Sequence, residues 1–160
     1  MVSKLKTLVY LVDHDKLVKK LAEKLKTSYP QFRQPVWAPF VKTATTNLEP
    51  PADQYWWYTR AGSVLRKLAV YDTLGIEELS SHYGGRRRKG QQKERSMRGS
   101  SGHIRRILKG LEEANLVQKG RTGRKLSPAG ASLVEAVCRE LIEGVVQEKP
   151  YLSAYLGETP

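Results

Sequence analysis

Two amphipathic stripes separated by a short, turn-bearing segment set the tightest limit on what this chain can fold into. Ile104, Ile107, Leu108 and Leu111 recur at helical spacing, as do Leu133, Val137, Leu141 and Val145. Between them, residues 116–119, 120–123 and 124–126 read as strand, turn and strand. Ser127-Pro128 then supplies an N-cap and a proline at the first helical position. Ser100 or Ser101 caps the earlier helix, which covers about 101–115. The order helix, hairpin, helix describes a wing.

Upstream, Asp13 or Asp15 can cap a helix reaching about Lys26, with Leu17, Val18, Leu21, Ala22 and Leu25 as its apolar stripe. Tyr29-Pro30 ends it. Residues 35–43 predict one short helix starting at Pro35, and 44–53 a loop broken by Pro50-Pro51. A long helix follows over about 54–71. Trp57, Ala61, Val64, Leu65 and Leu68 share one face, with Trp56, Arg60, Ser63 and Lys67 on a neighbouring face. Gly75 starts a short helix with Ile76, Leu79 and Tyr83 inward. The expected fold is mainly α, a winged helix-turn-helix-like domain with extra N-terminal helices and a small β-hairpin wing. It is expected to span residues 1–149, with 150–160 as a short C-terminal tail.

Charge points to the partner. The formal net charge is +12. Residues 86–125 hold 14 Lys/Arg against three acids, a surplus of 11, while the other 120 residues hold 14 against 13. A surface that is merely solubilising would spread that surplus, and crowded cations weaken a fold unless something neutralises them. Nucleic acid is the commonest polyanion, and an anionic membrane is the next candidate. The longest apolar run, Leu8 to Val12, is too short to cross a bilayer. The lone cysteine, Cys138, cannot form an internal disulfide or build a metal site, and it falls beside the last helix's stripe as a core or boundary residue. The reading is a soluble, cytoplasmic protein.

One feature separates this chain from DNA readers of similar plan, whose two helices are joined by a turn of three or four residues. Here residues 84–100 intervene as a glycine-rich basic loop containing Gly84-Gly85-Arg86-Arg87-Arg88-Lys89-Gly90. Glycines let backbone approach phosphates closely and the four cations neutralise them, which suits the phosphate crevices of folded RNA. The other reading of this loop is a disordered basic tether. Trp56 and Arg60 lie one helical turn apart and can stack. Trp56 either stacks on a base while Arg60 holds a phosphate, or both pack against residues 35–43. Arg66 points nearly opposite the apolar stripe, towards solvent or RNA, and Trp37 reads as packing. His14, His82 and His103 show no metal-ligand spacing, no acids are isolated in an apolar setting, and no phosphate-binding nucleotide loop is present. Neither catalysis nor a cofactor is expected.

Several segments, in order, resemble the nineteenth e-type family of small-subunit ribosomal proteins, shared by archaea and eukaryotes. They are Trp56-Trp-Tyr-Thr-Arg-Ala-Gly-Ser-Val-Leu-Arg66, Tyr83-Gly-Gly-Arg-Arg-Arg-Lys-Gly90, Ile104-Arg-Arg-Ile-Leu-Lys-Gly-Leu-Glu112 and Gly123-Arg-Lys-Leu-Ser-Pro-Ala-Gly130. The Trp and Val-Lys of residues 35–43 fit as well, and the likeness covers roughly 14–145. It implies a structural constituent of the small subunit that binds 16S-type rRNA in the head and supports assembly. The implied partners are that rRNA and neighbouring proteins of the 30S head, with no membrane and a monomer outside the ribosome. The family's basic positions fall on Arg60, Arg66, Arg86 to Lys89, Arg105, Arg106, Arg124 and Lys125. Together with cations on the same elements, the expected RNA-binding set is Trp56, Arg60, Arg66, Lys67, Arg86, Arg87, Arg88, Lys89, Lys93, Arg95, Arg98, His103, Arg105, Arg106, Lys109, Arg121, Arg124 and Lys125. Thr43-Ala-Thr-Thr-Asn47 replaces a more basic stretch and is assigned no RNA role. Gly62 stands where the family usually has alanine, which would loosen the long helix. The compact length points to an archaeal source. The runner-up function is a winged-helix transcription regulator on DNA, and a protein-docking winged helix is a third.

Overall fold

A computed structural model describes residues 2–146. Its elements are α1 (Val2–Leu11), α2 (His14–Ser28), a 3₁₀ turn (Ala38–Phe40), α3 (Trp56–Tyr71), β1 (Thr73–Leu74), α4 (Ile76–His82), β2 (Gly85–Lys89), β3 (Gln92–Met97), α5 (Ser101–Glu113), β4 (Val117–Lys119), β5 (Arg124–Leu126) and α6 (Pro128–Val146). The chain is mainly helical and winged-helix-like, as its apolar patterning predicts. The expected boundary at 149/150 lies outside the described residues.

Helix α3 is the axis. Trp57, Ala61, Val64, Leu65 and Leu68 are buried along it, and α1, α2, α5 and α6 pack around it. Asp13 caps α2 by accepting a hydrogen bond from the Asp15 backbone N–H at 2.9 Å, and Leu17, Leu21 and Leu25 bury that helix's stripe. Where α2 crosses α3, a Cβ added to Gly62 would stand 2.8 Å from the Val18 carbonyl oxygen and 3.2 Å from the Leu21 Cβ. Gly62 therefore permits close helix contact, and the loosening expected of it is not its main effect.

The first helix was not anticipated. Its signal is Leu5, Leu8, Val9 and Val12, spaced i, i+3, i+4 and i+7; the last three are buried and Leu5 is half-buried. The predicted helix from Pro35 shrinks to a single 3₁₀ turn, because Pro39 has no N–H to continue the hydrogen-bond ladder. That turn is tied to α3 by the Trp56 indole N–H, which donates to the Ala38 carbonyl at 2.8 Å.

The wing forms as predicted, with an addition. Strand β5 pairs antiparallel with β4 on one side (Val117 opposite Leu126) and on the other with β1 (Leu74 opposite Arg124). Ser127 closes the wing: its hydroxyl donates to the Asn115 carbonyl at 2.6 Å and accepts from the Gly130 N–H at 3.0 Å. In α6 the buried positions are Val134, Val137, Cys138 and Ile142, while Leu133, Leu141 and Val145 are half-buried. The stripe is rotated from the expected one, and Cys138 sits inside it. Burial, aided by Glu135, pushes the Cys138 thiol up to about 12.

The largest correction concerns residues 84–100. They fold into a second antiparallel hairpin, β2 with β3, rather than a loop. Gly90, at φ 59°, turns its tip. Its base is drawn closed where the Gly99 N–H donates to the Ser80 carbonyl at 2.8 Å and the Ser80 hydroxyl donates to the Gly99 carbonyl at 2.5 Å.

Two substitutions test this packing. Ser127→Ala removes a helix cap and the hydrogen bond to the Asn115 carbonyl, so an equilibrium urea titration should show a loss of about 1–2 kcal/mol. Gly62→Ala gains about 1 kcal/mol of helix propensity but overpacks a backbone contact at a cost of about 1–3 kcal/mol. A lower thermal midpoint is expected; a higher one would mean that the two helices separate freely.

Candidate nucleic-acid interface

Two cations of α3 meet at one aromatic ring. Tyr83 ends α4 immediately before the β2–β3 hairpin. Its hydroxyl donates to Ser63 Oγ on α3 at 2.9 Å. The Arg60 guanidinium lies over the ring, 4.2 Å from its centroid, and Lys67 Nζ lies 4.4 Å from it. Arg60 also donates to the Thr43 carbonyl at 3.4 Å. Thr43, Arg60, Tyr83, Ser100 and His103 close round one small gap, so α3, the hairpin base and the start of α5 converge there. Tyr83 as the organiser of cations was missed; its inward position was read, its partners were not.

The electrostatics follow. Burial lowers the Arg60 and Lys67 pKa values, and for Lys67 the neighbouring Arg66 and Arg60 charges add to the effect. Burial raises the Tyr83 phenol against the pull of Ser63 and Arg60. Arg66 is half-buried beside a cleft of about 620 Å³ that Asn47, Thr59, Arg60, Ser63 and Tyr83 also line. Its Nε is buried and finds no acceptor among the described residues.

For Trp56 the packing alternative holds. The ring is buried, its N–H is spent on Ala38, and Arg60 lies over Tyr83. Trp56 is thus placed as a packing residue at the edge of that cleft. Trp37 packs as expected: it stands edge-on to Trp57, stacks on His103 at 5.5 Å and carries the Arg106 guanidinium 4.8 Å above its ring. His103 is accordingly half-buried. Burial lowers its pKa first, then Arg60 and Arg106, so at neutral pH it is an uncharged ring within a cationic group.

The remaining candidates fall into two kinds. On the hairpin, Arg86, Arg87, Arg88, Lys93 and Arg95 are exposed; on α5 so are Arg105 and Arg106, and on the wing Arg121 and Lys125. With Lys119, none of these ten has an acid within ion-pair distance among the described residues. Three others are paired: Arg98 with Glu77 at 3.2 Å, Lys109 with Glu113 at 3.9 Å and Arg124 with Glu112 at 3.1 Å. The Arg124 pair is half-buried and joins the wing to α5, which gives Arg124 a structural role. Lys89 lies in β2, opposite Gln92. Among the described residues no cluster of His, Cys, Asp or Glu could hold a metal, and no helix is long and apolar enough to cross a membrane.

Fold and surface together define a winged-helix-like protein with a concentrated cationic surface. Residues 8–144 match the profile of ribosomal protein S19e, and the chain belongs to that family. Small ribosomal subunit protein eS19 of Aeropyrum pernix is 45% identical over 148 residues, covering 91% of this chain and 96% of the relative. The protein of the same name from Thermoplasma volcanium is 37% identical, covering 92% and 98%. Small ribosomal subunit protein eS19B of Drosophila melanogaster is 33% identical, covering 82% and 84%. This is the family that the four sequence motifs resemble.

The lowered His103 pKa has a measurable sign. The folded state disfavours the imidazolium, so stability contributed by the neutral ring is present above the unfolded value of about 6.5 and is lost as pH falls from there through the lower folded value. Arg106→Gln removes one of the charges responsible. In a nuclear magnetic resonance titration His103 should titrate below 6.5 in the native chain and higher in the variant.

Proposed function

We propose that this chain is a structural constituent of the small ribosomal subunit that binds rRNA through its concentrated cations. The observation that carries the reading is the set of ten exposed cations from Arg86 to Lys125 with no acidic partner among the described residues, gathered on two hairpins and the helix between them. Such a surface raises its own electrostatic energy until a polyanion neutralises it. In this reading Arg86, Arg87, Arg88, Lys89, Lys93 and Arg95 on the hairpin, Arg105, Arg106 and Lys109 on α5, and Arg121 and Lys125 on the wing meet phosphates. Arg60, Arg66 and Lys67 form a more enclosed group around Tyr83, where the unpartnered Arg66 Nε suits an anion. Arg98 can exchange its exposed pair with Glu77 for a phosphate. His103 and Arg124 hold other contact residues in place.

The names of the relatives support the ribosomal setting. In the same reading, which the family resemblance implies, the protein belongs to the head of the cytoplasmic 30S particle, among neighbouring ribosomal proteins, with a role in assembly and no catalysis. The structure favours RNA over duplex DNA as partner, because a projecting hairpin stands where a DNA reader needs a tight turn between its helices.

If about eight to ten phosphates are contacted, raising salt from 50 to 200 mM should weaken binding to a small-subunit rRNA transcript by roughly 10³ to 10⁵. A nearly flat salt response would contradict the proposal. Replacing Arg86, Arg87, Arg88 and Lys89 together by Ser should leave the thermal midpoint nearly unchanged while cutting affinity strongly. Equal loss of both would make the hairpin a folding element. Sedimentation of the native protein with 30S particles tests the ribosomal placement.

A further inference from the structure

We infer that Arg87 and Arg95 form a two-guanidinium clamp for a single phosphodiester, on the side of the β2–β3 hairpin that faces residues 43–47. The inference rests on the RNA-binding reading above and adds which face of the hairpin the strand occupies.

The register defines the faces. Gly85 lies opposite Met97 and Arg87 opposite Arg95, while Arg86 lies opposite Ser96. Residues directly opposite in an antiparallel pair project to the same side, and the side alternates along each strand. Gly85, Arg87, Arg95 and Met97 therefore share one face, and Arg86 shares the other with a neutral serine. From Arg87 to Lys89 is two steps on β2, but from Arg95 to Gln92 is three on β3. The extra residue lies in β3, so β2 keeps its alternation and Arg88 joins Arg86.

The two faces differ electrostatically. On one, two guanidinium groups stand directly opposite each other, an arrangement that destabilises a two-stranded ribbon. Among the described residues no acid lies within ion-pair distance of either arginine, and both are exposed. On the other face the residue opposite Arg86 is the neutral Ser96, and Glu94 projects to the same side. Each guanidinium carries five N–H donors in a planar fork that matches phosphate oxygens two at a time. One phosphate between two forks turns the repulsion into attraction. The same face also points inward: a Cβ on Gly85 would stand 2.9 Å from Thr46 Cγ2, and the Thr45 hydroxyl donates to the Arg98 carbonyl at 3.5 Å. Arg87 and Arg95 thus rise beyond the 43–47 loop on the concave side of the hairpin. A backbone phosphate of RNA held there would lie in the angle between hairpin and loop. The loop takes part by its shape, although its residues carry no charge.

The test uses the full chain and a transcript of small-subunit rRNA. Arg87→Gln/Arg95→Gln and Arg86→Gln/Arg88→Gln each remove two exposed cations from the same hairpin, so they weaken the long-range field alike. The clamp predicts that the first pair loses at least tenfold more affinity than the second, with thermal midpoints unchanged. It also predicts non-additivity: with one phosphate shared, the second substitution within the clamp costs less than the first. Arg87→Lys/Arg95→Lys keeps the charge without the fork and should recover only part of the loss. Equal losses from the two double variants, a greater loss from the second, or additive single effects at Arg87 and Arg95 would overturn the clamp while leaving RNA binding intact. If the native chain binds the transcript no better than an equally charged peptide, the parent reading fails instead.

Discussion

A phenol ring with a cation on it fixes where everything else can point. Tyr83 is anchored through its hydroxyl to Ser63 on the central helix, and Arg60 and Lys67 lie against its ring. Because Tyr83 directly precedes Gly84, this anchor sets the angle at which the β2–β3 hairpin leaves the body. Because Arg60 also reaches the Thr43 carbonyl, the same contact positions the loop beneath the hairpin. Cations of α3 are thereby held close to one another, and no acid among the described residues pairs with Arg60 or Lys67. The fold keeps like charges together by giving them a ring face, a hydroxyl and a carbonyl to interact with.

How far the sequence revealed this depends on whether burial left a trace. Helices α2, α3 and α5 each bury a stripe, so 3.6-residue spacing exposed them, and Asp13, Ser100 and Ser127 marked the beginnings of α2, α5 and α6. The wing was legible because its turn residues sit between two such helices. The β2–β3 hairpin was illegible for the opposite reason: Arg86 to Lys93 offers no apolar alternation, since neither face enters the core. Strand β1 is two residues long, below any periodic signal. Helix α1 did carry a readable pattern in Leu5, Leu8 and Val9, which went unread. The candidate cations were identifiable by type and clustering, but their division into free, ion-paired and ring-stacked groups needed tertiary contacts. Trp56 shows this most clearly, because its partners Ala38 and His103 come from distant parts of the sequence.

The two hairpins divide the labour. The wing is a built part of the body, with β5 held between β1 and β4 and Arg124 paired to Glu112. Its exposed cations, Arg121 and Lys125, stand on a fixed platform. The β2–β3 hairpin is attached only at its base, through Ser80, Gly99 and the 45–46 loop, and projects with charged side chains on both faces. Such an element gains little from the folded body and can adjust its pitch to a curved polyanion. For the rRNA-binding role proposed here, one arm sets register and the other conforms.

Cys138 gives the interior a built-in chemical clock. It is the chain's single thiol, it lies within the α6 core, and at a pKa of about 12 it is almost wholly protonated at neutral pH. Only the thiolate attacks alkylating reagents. Labelling of the native protein must therefore await openings that carry α6 away from its neighbours, and the labelling rate reports how often the core comes apart. Movement confined to the hairpin or the wing would leave that clock unchanged.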